Sequence, residues 1–333
     1  MKKYSVIVPV YNRPQEVKEL LDSLRTQTYT DFELILVEDG STEPCEYLIA
    51  DYSDTILIQY FFKPNTGPGD SRNFGMDKAT GEYFIFFDSD CLIPSNYFQA
   101  LTDHLALHPL DAFGGPDAAH ESFSTVQKAI NQSMTSFVTT GGIRGRKNQL
   151  DKFQPRSFNM GLKREVYVQV GGFSDIHPGE DPDLSYRIMN AGFKTGLVPE
   201  AFVYHKRRID FGKFYTQVNK FGMVRVILMK WYPERSNKLV YYLPSLFVAG
   251  CAVLSLASIW LPYTWVPMVF LTAVLWGEAL VATDSFAIAF LSIFASYIQL
   301  FGYGWGFLKA QWQLNMNEKD ERVAFPKLFF GKK

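Results

Sequence analysis

Acidic residues gather at three places in this sequence, each beside an apolar run or a glycine. Residues 83–87, Tyr-Phe-Ile-Phe-Phe, read as a strand buried on both faces that stops abruptly at Asp88-Ser89-Asp90. Residues two apart in an extended chain point to the same side, so Asp88 and Asp90 can converge on one site. Glu38-Asp39 closes a second apolar run, and Glu180-Asp181 follows Pro178-Gly179 at the start of a helical pattern. Paired carboxylates at the carboxyl end of a buried strand lie where open α/β sheets bind ligands. Their repulsion calls for positive charge, which a divalent cation carrying a nucleotide diphosphate would supply. An acidic turn capping the next helix is the alternative reading of Asp88-Ser89-Asp90.

To hold these groups the chain must supply strands that end together. Residues 5–10 read as a first strand, and 14–24 as a helix with Val17, Leu20, Leu21 and Leu24 on one face. A second strand spans 32–37, a short helix 43–52, and a third strand 55–62. The glycine-rich turn 65–75 then opens a helix ending near Gly81, before the strand that carries Asp88. Strands alternating with helices over residues 1–90 predict an α/β fold with a mostly parallel, doubly wound sheet covered by helices on both faces. Beyond Asp90 the pattern predicts a helix over 95–108, a strand over 112–115 and a helix over 123–138. Residues 158–161 re-enter the sheet, 164–170 form a short helix, and another helix begins near Glu180, with Leu184, Ile188 and Met189 on its buried side. The basic, glycine-rich stretch 141–147 reads as a mobile loop.

Composition permits such a core, with 47% hydrophobic and 20% charged residues. Lys plus Arg number 33 against 34 Asp plus Glu, a formal net charge of -1, which gives no support for a nucleic-acid surface. Cys45, Cys91 and Cys251 form no C-x-x-C pair, as expected of a reducing compartment without structural zinc. The apolar run after Lys2 and Lys3 is ended by Asn12-Arg13-Pro14, short of the about 7 to 15 residues of a signal-peptide core. It reads as a strand, so the domain is expected in the cytosol.

Taken in order, six pieces resemble the inverting glycosyltransferases of family 2, which have the GT-A fold. They are Val8-Pro9-Val10-Tyr11-Asn12, Val37-Glu38-Asp39-Gly40-Ser41, the turn 65–75, Asp88-Ser89-Asp90, Gly179-Glu180-Asp181, and His205 at the end of a strand. The resemblance implies a catalytic domain over residues 1–215 and a role for each motif residue. Pro9, Tyr11 and Asn12 would border the nucleotide of the donor. Asp39 would contact a uracil-type base, since a carboxylate accepts the imide N–H that cytosine lacks. Glu38 stands where the family often has another aspartate. Arg72 would pair with donor phosphates, and Asp88, with Ser89, would contact the ribose. Asp90 would hold Mg2+ or Mn2+, hard cations suited to oxygen ligands and a diphosphate. His205 matches a late histidine that some members use as a metal ligand, with a plain hydrogen-bonded histidine as the alternative.

Mechanistically, the anomeric C–O bond of a sugar nucleotide breaks with negative charge growing on the diphosphate, which a bound metal offsets. Attack from the opposite face needs a base for the acceptor hydroxyl, by resemblance Asp181, with Glu180 beside it raising its proton affinity. Ordinary helix-start acids and a surface arginine are the alternatives for Glu180-Asp181 and Arg72. His104, His108, His120 and His177 have no usable partner spacing. No Gln-x-x-Arg-Trp motif occurs, which favours one sugar per encounter, and no Gly-x-Gly-x-x-Gly follows the first strand, which argues against a nicotinamide dehydrogenase.

The end of the chain changes character. From Leu239 to Leu308 the only charged side chains are Glu278 and Asp284, and three apolar pieces, 240–261, 263–283 and 286–308, each approach the ~20 residues of a membrane-crossing helix. Before them, residues 206–231 interleave Lys and Arg with Phe, Tyr and Trp, and 216–238 suit an interfacial helix on an anionic membrane surface. The tail 309–333 is basic, so both ends are expected in the cytosol, with two spans and one interfacial or re-entrant piece within 239–308. The implied protein is a membrane-anchored glycosyltransferase. It would move one sugar, expected from a UDP-sugar, to a lipid-linked or cell-envelope glycan acceptor, with membrane lipid as a partner and no nucleic acid. A nucleotidyltransferase, or a non-catalytic membrane scaffold that kept the fold, are the rivals.

Overall fold

The computed structural model describes residues 2–140, 154–206 and 210–330. The basic stretch 141–147, Arg207, Arg208, Lys332 and Lys333 lie outside the described residues. In chain order the strands are β1 (Tyr4–Val10), β2 (Phe32–Asp39), β3 (Leu57–Lys63), β4 (Tyr83–Phe87), β5 (Cys91–Leu92), β6 (Ala112–Gly114), β7 (Asp117–Ala118), β8 (Asn159–Lys163), β9 (Thr195–Leu197) and β10 (Val203–His205). The helices used below are α1 (Pro14–Arg25), α2 (Pro68–Lys78), α3 (Tyr97–Leu107), α4 (Thr125–Thr135), α5 (Phe137–Thr140), α6 (Arg164–Val170), α7 (Glu180–Asn190) and α8 (Phe211–Trp231). The short helix expected at 43–52 is a 3-10 turn, Glu46–Asp51.

Among the described residues one sheet runs β3-β2-β1-β4-β8-β6-β9 and a second runs β5-β10-β7. The first four strands are parallel, as the strand-helix alternation predicts. β8 slots between β4 and β6 antiparallel to both, so the sheet is mixed. The residues of β4 alternate between two cores, which is why it must be apolar throughout. Ile85 and Phe87 join Val6 and Val8 of β1, Leu20 and Leu24 of α1 and Phe98 of α3. Phe84 and Phe86 join Ile7, Met76 of α2, Val166 of α6, and Leu184 and Ile188 of α7. Phe84, Phe86 and Phe87 are fully buried, each worth roughly 2–3 kcal/mol of apolar burial. The strand that delivers Asp88 and Asp90 is therefore anchored on both faces.

The described residues divide into two compact units. One holds 2–120, 154–206 and 329–330; the other holds 121–140 and 210–328. A single break near residue 215 is not what forms, because Ile130 and Met134 of α4 cluster with Phe214, Val218 and Ala295. Within the second unit the hydroxyl of Ser133 donates to Gln299 Oε1 at 2.9 Å. Residues 211–231 of the basic, aromatic stretch form α8, a single helix packed against the helix Phe286–Gln311. Their backbones approach closely enough that a Cβ at Gly222 would lie 2.1 Å from the Tyr303 carbonyl, and one at Gly306 equally near that of Asn219. Small residues at such crossings permit backbone contact in apolar helix pairs. Leu239–Ala257, Tyr263–Thr283 and Phe286–Met316 are each long and apolar enough to cross a membrane.

Candidate active site

Asp88 and Asp90 leave the end of β4 on either side of the buried Ser89. β10 pairs with β5 directly after them, His205 opposite Cys91, and so brings an imidazole from far along the chain. His205 Nε2 lies 3.2 Å from Asp90 Oδ1 and 3.7 Å from Asp88 Oδ2. The Phe158 ring stacks on the imidazole at 4.8 Å and fixes its plane. Arg13 reaches the far oxygen of Asp90 at 3.4 Å.

These groups fit a hard divalent cation. Asp90, Cys91 and His205 offer ligand atoms within 4.8 Å of one another. Cys91 is the exception within the group: burial, reinforced by Asp90 and Asp88, pushes its thiol pKa well up, and it donates to the Phe158 carbonyl at 3.6 Å. A sulfur ligand is also soft, and poorly matched to a hard cation. The remaining carboxylate oxygens and imidazole nitrogen suit Mn2+ or Mg2+ better than a soft metal.

Arg72 connects this cluster to the start of α7. It is 3% exposed, with Nη2 on Asp88 Oδ1 at 2.6 Å and Nη1 on Glu180 Oε1 at 3.3 Å. Expected to face donor phosphates, it directs one nitrogen to a carboxylate at β4's end and another to one on α7. Glu180 also meets His177 Nδ1 at 3.0 Å. Burial alone would raise its pKa, but His177 and then Arg72 hold it at about 2. Glu180 is thus an ionised anchor. Its neighbour behaves oppositely: burial raises the Asp181 pKa above the ordinary aspartate value, with Glu180 adding to the rise against the pull of Arg156 and Arg72. Arg156 Nη1 stands 3.8 Å from Asp181 Oδ2. One acid is thus held charged beside another whose proton affinity is raised.

Asp39 lies across α2's amino end and shapes it. Its Oδ2 accepts the Gly67 N–H at 2.9 Å, its Oδ1 the Thr66 N–H at 3.0 Å, and Lys63, its cross-strand partner, approaches Oδ1 at 2.6 Å. Gly67 has φ +96°, a conformation glycine adopts without strain, and it is followed by Pro68 at the first turn of α2. Glu38 is fully buried, accepts from the Ser41 hydroxyl, and takes the Cys45 N–H at 2.9 Å. Asn12 ties the first strand's loop to the second's, its Oδ1 accepting the Thr42 N–H at 2.8 Å and its own N–H donating to Ser41 Oγ at 2.7 Å. Tyr11 is half exposed beside it, and Pro9 pairs with Val37 inside the sheet.

The structure therefore gathers Asp88, Asp90, His205, Arg72 and Glu180 through direct contacts, with Asp181 next to Glu180 in the chain and Asp39 at the amino end of the helix that carries Arg72. Arg13, Lys63, Arg156 and His177 join the site without belonging to any of the sequence motifs. His177 precedes Glu180 by three, a spacing that offered a signal; the others are revealed only by tertiary structure.

Residues 5–170 match the family described as Glycosyl transferase family 2. Glycosyltransferase GlyA of Streptococcus pneumoniae serotype 4 is 36% identical over 260 residues, 78% of this chain and 32% of that protein. An uncharacterized glycosyltransferase of Rickettsia bellii is 45% identical over 97 residues, 29% of this chain and 14% of that protein. The chain thus spans less than a third of the length of the latter relative and about a third of the former. A solved structure of mannosyltransferase PcManGT from Pyrobaculum calidifontis, in complex with GDP-Man and Mn2+, superposes with a TM-score of 0.67 at 16% identity, over 94% of this chain and 88% of that one. The fold is the GT-A fold expected from the motifs.

Proposed function

The amino-terminal domain, residues 5–170, belongs to glycosyl transferase family 2, and from that premise we propose that this chain is an inverting glycosyltransferase that moves one sugar from a nucleoside-diphosphate sugar to an acceptor hydroxyl. The observation that carries the reading is the meeting of Asp88, Asp90 and His205 at the end of β4, linked through Arg72 to the Glu180-Asp181 pair. Asp90 and His205 are the residues that would hold Mn2+ or Mg2+, and Asp88 the one that would meet the ribose. When bound, the metal offsets charge that grows on the departing diphosphate. The mannosyltransferase that shares the fold was solved with a nucleotide sugar and Mn2+, which supports the donor class and the metal.

Each protein group then has a physical task. Arg72 orients the Asp88 carboxylate through Oδ1 and leaves Oδ2 facing the site for a donor hydroxyl. Asp39 Oδ2, which accepts the Gly67 N–H, keeps a second lone pair for the imide N–H of a uracil-type base. Asp181 takes the proton of the attacking hydroxyl, and its raised pKa brings its basicity toward the working pH. Tyr11, Asn12 and Pro9 border the nucleotide. Three apolar helices support attachment to a membrane, where a lipid-linked or envelope glycan acceptor and a cytoplasmic catalytic domain are the reading we favour.

A donor screen on the detergent-purified full chain tests this, following release of nucleoside diphosphate with Mn2+, with Mg2+ and with chelator. Metal-dependent release of a nucleoside diphosphate with sugar transfer is expected. Release of pyrophosphate, or no turnover of any sugar nucleotide, would overturn the reading.

A further inference from the structure

We propose that Phe330 is a positioning residue of the donor site, clamping the 65–67 turn and the His177–Glu180 pair from outside; the proposal rests on the glycosyltransferase reading above. Residues 329–330 group with the sheet unit. Phe329 bridges Ile176 in antiparallel fashion, and the Phe330 N–H donates to the Asp175 carbonyl at 2.9 Å. These bonds fix where the Phe330 ring falls.

The ring covers Gly67, where a Cβ would come within 2.5 Å of its Cγ. On its other side it meets the His177 imidazole, centroids 5.9 Å apart. Both neighbours are one step from the chemistry. Gly67 donates to Asp39, the assigned base contact. His177 holds Glu180, Glu180 holds Arg72, and Arg72 holds Asp88.

The turn and the loop also rest on each other, since a Cβ at Gly69 would lie 2.9 Å from the Ser174 carbonyl and 3.8 Å from Glu180 Cβ. Phe330 therefore spans two segments that must keep their spacing for Asp39 and Arg72 to face one donor. It belongs to neither of the sheet's hydrophobic cores and is 41% exposed. A ring placed there contributes little to core burial, and what it fixes is the distance between two binding segments. Holding a site in its bound geometry before the ligand arrives raises affinity without adding contacts to the ligand.

The test uses the full chain in detergent with Phe330→Ala and Phe330→Tyr. Two quantities are measured: amide hydrogen exchange in the free protein, and Mn2+-dependent affinity for UDP and GDP. Phe330→Ala should speed exchange at Gly67 and across 173–181 while β1 and β4 stay protected, and should weaken nucleotide affinity about tenfold. Phe330→Tyr should restore both. Exchange at those segments matching the native chain, or unchanged affinity despite faster exchange, would overturn the proposal. So would faster exchange spread evenly over the whole sheet, the mark of a merely structural residue. A native chain that binds neither nucleotide would instead overturn the donor reading, and the exchange arm would still decide whether Phe330 clamps the two segments.

Discussion

Replacing Glu180 with glutamine keeps the shape of the side chain and removes one of two carboxylates that hold Arg72. Glu180 is 5% exposed at its side chain, 3.3 Å from Arg72 and 3.0 Å from His177. Burial opposes its charge, yet His177 and Arg72 bring its pKa from the ordinary 4.5 down to about 2. A carboxylate depressed on folding stabilises the protein above its unfolded pKa, and that stabilisation fades as pH falls through the folded value. The difference between 4.5 and about 2, at ~1.36 kcal/mol per pH unit, is about 3 kcal/mol at neutral pH. Asp88 still faces Arg72 at 2.6 Å in the variant, so the buried guanidinium is not left alone and the loss should not exceed that figure. For a unit of this size the loss corresponds to a fall in melting temperature of roughly 6–12 °C. Thermal melts of the full chain by far-ultraviolet circular dichroism, at about pH 7 and about pH 3, read both the gap and its pH dependence. The gap should be present at neutral pH and shrink in acid. Equal melting at neutral pH, or a gap that survives unchanged in acid, would refute the charge argument.

Other outcomes follow from the same geometry. Asp181→Asn should bind donor and metal as the native chain does while losing transfer, typically by 10²–10⁴-fold for a lost general base, and an active variant would remove Asp181 from that role. The native rate should rise with pH along a limb centred above the ordinary aspartate value of 3.8, because the raised pKa keeps the base protonated to a higher pH; a limb at or below that value would contradict the assignment. In the second unit, Glu278 accepts the Ser136 hydroxyl and the Phe137 N–H at 2.8 Å. Glu278→Ala should cost about 1–3 kcal/mol and speed amide exchange over 136–140, whereas Glu278→Gln, which keeps an acceptor, should restore most of the protection.

The elements that set the sheet were written in local pattern. β4 reads directly as a strand buried on both faces because Phe84 and Phe86 serve one core and Ile85 and Phe87 the other. The acids at strand ends were visible for the same reason, since a hydrophobic run that stops at a carboxylate marks the sheet's carboxyl edge. What local pattern could not hold was pairing over distance. The partnership of Arg72 with Glu180 spans 108 residues and depends on α7 docking against α2. Lys63 meets Asp39 because the β2–β3 register sets the two opposite each other. The place of β8 between β4 and β6, antiparallel to both, is likewise a matter of pairing over distance that short-range periodicity does not encode. The helix expected over 123–138 breaks at Ser136, whose hydroxyl and following N–H are taken by Glu278 far along the chain. The grouping of α4 with Phe214, Val218 and Ala295 has the same origin.

The central claim is that the groups at the end of β4 and the end of β10 hold one cation together with a nucleoside diphosphate. Manganese binding followed by electron paramagnetic resonance, with and without UDP or GDP, measures this on the native chain and on Asp90→Ala. The native chain should take up one Mn2+ more tightly when the nucleotide is present, and Asp90→Ala should lose that coupling. A variant that binds Mn2+ and nucleotide as well as the native chain would contradict the account.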